Sequence, residues 1–519
     1  MWRPRPLSCG DSRSASDVNL QPLGASVKVF GAVPESASIT DIDKAINALL
    51  PSLVEFTEFE GADRAVPRSA WLDLIDEPLP QTGAGLEEVL RLLKDVVVKR
   101  GLRTGHPGFS GWVTTTPTTI GVVADLAQTV ASAQRWWVHP GNYIDSMAVE
   151  WMIELLGFPK TFVGQFTSGG STANLVGLGA ARQHAGEQLG IDAAHDGVSA
   201  IPSPRIYTSV QVHHVMGRSL GILGLGRGNV RSIPLASNRR IDLDMLRTTI
   251  EQDIAAGATP IAVVGNAGDV NTGVVDPLGP MAAVAREFGI WFHVDGAYGG
   301  FGLLDERVRD LYGDPGEYDS FAVDPHKWLA APVGTGLVIC RDGDLLGRSF
   351  AVETGAYDRE FEHQDFDERE PDSPWESTGR GTPDWGVDFS TPSRGIAVWA
   401  ILKEIGAAGV RERIVRHNDC ARLVADRATE SEELELMADP ELSIACFRYL
   451  REGLSGTDLD QFNERILEEL RRRGSSLPSG TWLDGRFAIR PCFINPRSGL
   501  DDAARLVDEV IEIGRTLSR

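Results

Sequence analysis

The chain is poor in cysteine, short of positive charge and without any long apolar run. Each shortage excludes something. Its five cysteines, Cys9, Cys340, Cys420, Cys446 and Cys492, are widely scattered, with no CxxC pair and no Cys/His ligand spacing. Neither a disulfide framework nor a zinc or other metal site is indicated, and a reducing cytoplasmic location is expected. No stretch approaches the roughly 20 apolar residues of a membrane-spanning helix. The opening run MWRPRPLSCGDSRSASD carries arginine but no apolar core behind it, so it does not read as a secretory signal. Lys and Arg number 50 against 73 Asp and Glu, a formal charge of −23. That balance argues against general affinity for nucleic acid or for anionic membrane surfaces. No long acidic tract concentrates the charge, so it reads as solvation of the surface.

What is present suits a soluble globular protein: 42% hydrophobic and 24% charged residues. A chain of 519 residues can form two or three interlocked domains. Residues 1 to 37 are rich in Ser, Pro and Gly and read as an extension. Ile42, Ile46, Leu49 and Leu50 recur at helical spacing, predicting a helix over Ser38–Leu50 that Pro51 ends or breaks. Leu90, Leu92, Leu93 and Val96 predict a second over Leu86–Lys99.

From about residue 160 to 340 the pattern alternates. Apolar runs begin at Ile206, Ile261, Ile290, Phe321 and Gly336, and helical stretches over Ala173–His184, Asp242–Ala255 and Pro280–Phe288 separate them. Strands alternating with helices predict an α/β fold with a mainly parallel sheet covered on both faces. Ligands of such sheets bind at the carboxyl ends of the strands. Ala351–Tyr357 reads as a lid segment and Asp358–Asp384 as an acidic loop. A helix over Ser393–Gly406 leads into a C-terminal αβ region with Leu442–Tyr449, Phe487–Pro491 and a last helix, Leu500–Leu517. The expected domains are 1–105, 106–400 and 401–519.

The motifs fall at the expected strand ends. One apolar run finishes in His293-Val294-Asp295-Gly296-Ala297, and the next leads to Asp324-Pro325-His326-Lys327-Trp328. A pyridoxal-phosphate (PLP) site needs this pair: a lysine to bond the cofactor aldehyde, and an aspartate to keep the pyridine nitrogen protonated. Alone, Asp295 would read as a structural carboxylate. At the end of a buried strand it is costly unless paired, and a pyridinium N–H is an adequate partner. Ala297 is small enough for a flat ring. Lys327 alone would read as a solvated lysine, but its place between His326 and Trp328 suits a pocket that lowers its pKa.

Upstream, Ser168-Gly169-Gly170-Ser171 follows an apolar run and opens an alanine-rich helix. Its glycines allow close backbone approach, and a helix start offers free N–H groups to phosphate. A lone Gly-Gly-Ser is usually just a turn; the order with Asp295 and Lys327 favours the phosphate reading. His213 and His214 are both candidates for stacking on the ring and for proton transfer, and spacing does not choose between them.

These motifs resemble the group II PLP-dependent amino-acid decarboxylases. The matches are His106-Pro107-x-Phe109, Trp151-Met152-x-x-Leu155-Leu156-Gly157, Ser168 to Asn174, His213, Asn271-Thr272-Gly273, His293 to Ala297, Asp324 to Trp328, Ser393-Arg394 and Arg490. The resemblance implies PLP fold type I (aspartate-aminotransferase-like), with a seven-stranded large domain, a smaller C-terminal domain and N-terminal helices that interlock a homodimer. It implies that His213 stacks on the ring and Asp295 holds N1. Lys327 would bond C4′, with Ser168, Gly169, Gly170, Ser171 and His326 around the phosphate and Asp324 and Ala297 also at the cofactor. Thr115 falls at a substrate-carboxylate position, Tyr357 at the proton donor of a mobile loop, and Arg490 is a candidate for an anionic group.

The implied reaction is α-decarboxylation of an L-amino acid to its amine. Oxidative deamination to an aldehyde, β-elimination and a non-catalytic binding role are the rivals. Three places depart from the family pattern, one of them the tract Asp358–Asp384, which aligns poorly. Gly268-Asp269-Val270 adds a carboxylate near the cofactor, and Val333-Gly334 lacks the aromatic and acidic residues many members carry there. Trp112, Trp136 and Trp137 either line an aromatic pocket or pack in the core.

Overall fold

Alternation at a period of two splits each central strand between two cores. In the computed structural model, Val263, Phe292, Val294, Phe321, Leu337 and Ile339 enter one buried cluster, and Ala262, Val264, Trp291, Ala322, Val338 and Cys340 the other. That is the signature of a sheet covered on both faces. The structure describes residues 42–59, 61–63, 66–134, 140–351, 385–388 and 390–518. The expectations for the N-terminal extension, Trp136, Trp137, Tyr357 with its lid segment, and the acidic tract to Asp384 lie outside those residues.

A short β1 (Phe109–Ser110) comes first. The large sheet follows: β2 (Val163–Thr167), β3 (Pro204–Ser209), β4 (Val230–Ile233), β5 (Thr259–Asn266), β6 (Trp291–Asp295), β7 (Ser320–Val323) and β8 (Gly336–Cys340). Its order is β2-β8-β7-β6-β5-β3-β4. Strand β8 runs antiparallel to both neighbours, and the other pairs are parallel. Parallel neighbours need crossovers, among them the helices Leu243–Ala255 and Leu278–Glu287. The fold is therefore α/β with a mainly parallel seven-stranded sheet, consistent with fold type I.

A second sheet contains β9 (Leu434–Ala438), β10 (Cys446–Tyr449), β11 (Leu477–Leu483) and β12 (Arg486–Arg490). Strand β1 closes one edge of it by parallel pairing with β11. The His106-Pro107 segment is tied there too: Asn495 Nδ2 donates to His106 O at 2.8 Å, and Leu477 N to Gly108 O at 2.8 Å. Residues just after 105 thus reach the C-terminal sheet before the chain enters the large one.

The first helix, Ile42–Thr57, passes through Pro51 instead of ending there. Leu53, Val54 and Phe56 continue the apolar pattern, so the proline removes a donor without stopping the helix. The helix expected over Ser393–Gly406 runs on as Gly395–Glu430, kinked at Gly406, where φ 66° and ψ 173° are not helical. Before it, Val398 and Ile401 join the large-domain core; well beyond it, Cys420 and Val424 join that of the C-terminal region. Cys340, Cys420, Cys446 and Cys492 are free and buried. No helix among the described residues is long and apolar enough to cross a membrane.

Candidate active site

The carboxyl ends of β2, β5, β6 and β7 surround a cavity of about 500 Å³. Its lining includes Ser168, Gly169, Gly170, Ser171, His213, Asp295, Ala297, Asp324, His326 and Lys327. Residues distant in sequence converge because parallel strands end at the same edge: Asn266 pairs with Asp295, and Asp295 with Ala322.

After β2 the chain turns at Gly169 (φ 135°) into the helix Gly170–Gln188, with no side-chain cap on its first N–H groups. Close contact explains the glycines. A Cβ on Gly170 would lie 2.6 Å from Asp324 Oδ2 and 3.0 Å from Ala297 Cβ. A Cβ on Gly336 would lie 2.5 Å from the Gly169 carbonyl carbon. The uncapped helix start therefore forms one wall of the cavity, with unsatisfied donors and a favourable dipole for an anion.

Lys327 Nζ lies 3.1 Å from Asp324 Oδ2. Asp324 is buried, and its Oδ1 accepts no hydrogen bond from the described residues. His326 is fixed through Nδ1, 2.9 Å from Thr335 O. Asp295 Oδ1 accepts from Ala297 N at 3.1 Å. His213 lines the cavity and His214 does not, although the two rings lie 4.2 Å apart. Partial burial holds the His213 imidazole below its usual pKa; Asp295 opposes this, while His214 and Lys327 add to it.

Behind the site runs a buried chain that motif spacing did not disclose. Asn174 Nδ2 donates to Gly170 O at 2.8 Å, and Asn174 Oδ1 lies 2.7 Å from His293 Nε2. Ser320 Oγ donates to His293 Nδ1 at 2.8 Å and accepts from Trp291 Nε1 at 2.8 Å. Burial lowers the pKa of His293 to about 4, so the ring is neutral and links the helix Gly170–Gln188 to β6 and β7. His293 was visible in the strand motif. Asn174 was visible in the motif Ser168 to Asn174 as well, but the pairing of the two was not, because it depends on how the helix packs on the sheet.

Asp269 lines the cavity, but its carboxylate is engaged by its own loop. Asn271 N donates to Oδ1 at 2.7 Å, Thr272 N to Oδ1 at 3.1 Å and Val274 N to Oδ2 at 3.1 Å. The Thr272 hydroxyl donates to Oδ2 as well. The added carboxylate thus shapes the turn after β5. Thr115 and Arg490 do not line the cavity. Thr115 is buried, its hydroxyl without a hydrogen-bond partner among the described residues, and Arg490 Nη1 donates to Trp112 O at 2.9 Å. Trp112 is itself 54% exposed and is not a core residue. Gln211, Asn266 and Tyr298 also line the cavity, and none of the three had been singled out as a site residue.

The donor set fits a flat anionic cofactor: a glycine cradle at a helix start, a carboxylate at a strand end, and a lysine beside a half-satisfied aspartate. A model of the pyridoxal-dependent decarboxylase conserved domain matches residues 69–450. The chain belongs to that family. This decarboxylase-family chain is a PLP-dependent carboxy-lyase, and PLP is its cofactor. It is 29% identical over 449 residues to an aromatic-L-amino-acid decarboxylase of Bacillus atrophaeus, covering 86% of this chain and 88% of the relative. It is 24% identical over 455 residues to a 4-hydroxyphenylacetaldehyde synthase of Rhodiola rosea, covering 84% and 88%. The crystal structure of Oryza sativa TDC with PLP and tryptamine superposes with a TM-score of 0.83 at 20% identity, covering 93% of this chain and 100% of that one. The structural likeness supports the fold.

Proposed function

We propose that this chain removes the α-carboxylate of an L-amino acid as CO₂ and releases the amine. One observation carries the reading: Asp295, Lys327 and the Gly169–Ser171 helix start line a single cavity. PLP, when bound, supplies the electron sink for the carbanion left by decarboxylation. The protein's part is orientation and electrostatics. In this reading Ser168 to Ser171 and His326 hold the phosphate, and Asp295 keeps the proton on the ring nitrogen. Lys327 would hold the cofactor aldehyde through its amine. His213 packs against the ring, and Tyr357 or a path linked to His213 returns a proton to Cα.

The relative named as an aldehyde synthase and the small residue Gly334 at the cavity favour a second reading. There, the amino acid, O₂ and water would be converted to aldehyde, CO₂, ammonia and H₂O₂. Incubation of PLP-loaded protein with an amino-acid panel, following all these products together, separates the two. Amine and CO₂ in equal amounts are expected. Aldehyde with stoichiometric H₂O₂ would replace the decarboxylase reading by the oxidative one.

We further propose a cytoplasmic homodimer. The free, buried cysteines suit a reducing compartment. Leu50, Leu53 and Val54 on the first helix, and Val122, Val123, Leu126 and Val130 on the helix Thr119–Val130, are exposed. Exposed apolar surface on this scale marks an interaction face. Sedimentation velocity at working concentration should give a dimer; a fully active monomer would contradict it.

A further inference from the structure

The turn that carries Lys327 contains an unfavourable backbone. Ala330 has φ 59°, in the left-handed region that a residue with a Cβ rarely adopts. Such a conformation persists only where its surroundings fix it. Within the turn, Lys327 N donates to Asp324 O at 2.9 Å and Ala331 N to Pro325 O at 3.0 Å. Outside the turn, Thr118 N donates to Ala330 O at 2.9 Å, and two further anchors come from the long helix Gly395–Glu430. Arg413 Nη1 donates to Leu329 O at 3.0 Å, and His417 Nδ1 accepts from Trp328 Nε1 at 3.0 Å. Residues 413 and 417 are i, i+4 neighbours on one helix face, so a single face holds the two residues that follow Lys327.

We propose that His417 is a positioning residue: by accepting the indole N–H of Trp328 it fixes the turn from which Lys327 reaches the cofactor. Both side chains are fully buried, so neither can exchange its partner for water. Trp328 also stacks on Tyr298, with ring centroids 5.2 Å apart and planes 14° apart. Tyr298 lines the cavity, and its hydroxyl lies 2.7 Å from Ser443 Oγ. The indole is thus clamped on its face by a cavity residue and at its edge by His417. Because Nδ1 accepts, the imidazole proton is on Nε2. Burial, reinforced by Arg416 and Arg413, pushes the His417 pKa down to about 3, so the acceptor persists throughout the neutral range.

This role rests on Lys327 being the cofactor lysine. The test uses the full-length protein in four forms: His417→Leu, His417→Gln, Trp328→Phe and the His417→Leu, Trp328→Phe double variant. PLP affinity is read by absorbance titration, and the visible spectrum of the loaded protein is recorded beside it. Losing one partner of a buried hydrogen bond should weaken PLP binding by about tenfold in His417→Leu and in Trp328→Phe. The double variant should be no worse than either single, because both remove the same contact. His417→Gln should stay within about threefold of wild type, since its amide oxygen can accept the indole N–H. Should His417→Leu fail to fold, Trp328→Phe and His417→Gln decide alone. Wild-type affinity in Trp328→Phe, multiplied losses in the double variant, or a glutamine that tests as badly as leucine would overturn the proposal. Borohydride labelling of wild type separates the two layers: a label on another lysine removes the Lys327 reading, whereas a label on Lys327 with unaffected variants removes only the role of His417.

Discussion

Asp295→Asn should still bind PLP but lose turnover by about 10²–10³-fold, the usual loss when one preorganised electrostatic group is removed. The substitution is nearly isosteric. Asparagine can keep the contact from Ala297 N, and β6 stays paired with β5 and β7 on either side of residue 295. The fold should therefore survive. What changes is charge: a neutral amide cannot hold a proton on the ring nitrogen as a carboxylate does. Absorbance titration with PLP and release of CO₂ from the best substrate measure the two effects separately. Turnover near that of wild type would show that another group serves the ring nitrogen.

Lys327→Ala should lose more, about 10⁴-fold, because it removes both the covalent attachment and a group placed for proton transfer. It also leaves the buried Asp324 carboxylate without the ammonium 3.1 Å away, which lowers stability. Lys327→Arg controls for that loss, since the guanidinium keeps a positive charge but is never deprotonated at working pH. Both variants should be inactive, with the arginine variant the more stable in thermal unfolding. Appreciable turnover in Lys327→Arg would mean that charge at this position, rather than the amine, is what the reaction needs.

The central strands were legible because each is buried on both faces and reads as a continuous apolar run, as at Ile261–Val264. The strand-end motifs were legible for a related reason. Ligands of a parallel sheet bind where its strands end, so Asp295 and Asp324 were candidates by position, and both line one cavity. Sheet order was not legible, since nothing local says that β8 inserts between β2 and β7. The pairing of β1 with β11 depends on a contact between Phe109–Ser110 and Leu477–Pro478, far beyond any periodicity. His417 carried no signal, because a lone histidine on a helix is indistinguishable from a packed one until Trp328 is seen against it. Asp269 looked like an extra charge beside the cofactor. Sequence could not tell that four donors from its own loop would engage it.

The most direct test of the whole account is chemical labelling of the wild-type protein. PLP-loaded enzyme is reduced with borohydride, digested, and its peptides are mapped. The account predicts a yellow protein and a pyridoxyl group on Lys327. A pyridoxyl group on any other lysine, or none on protein that binds PLP stoichiometrically, would contradict it.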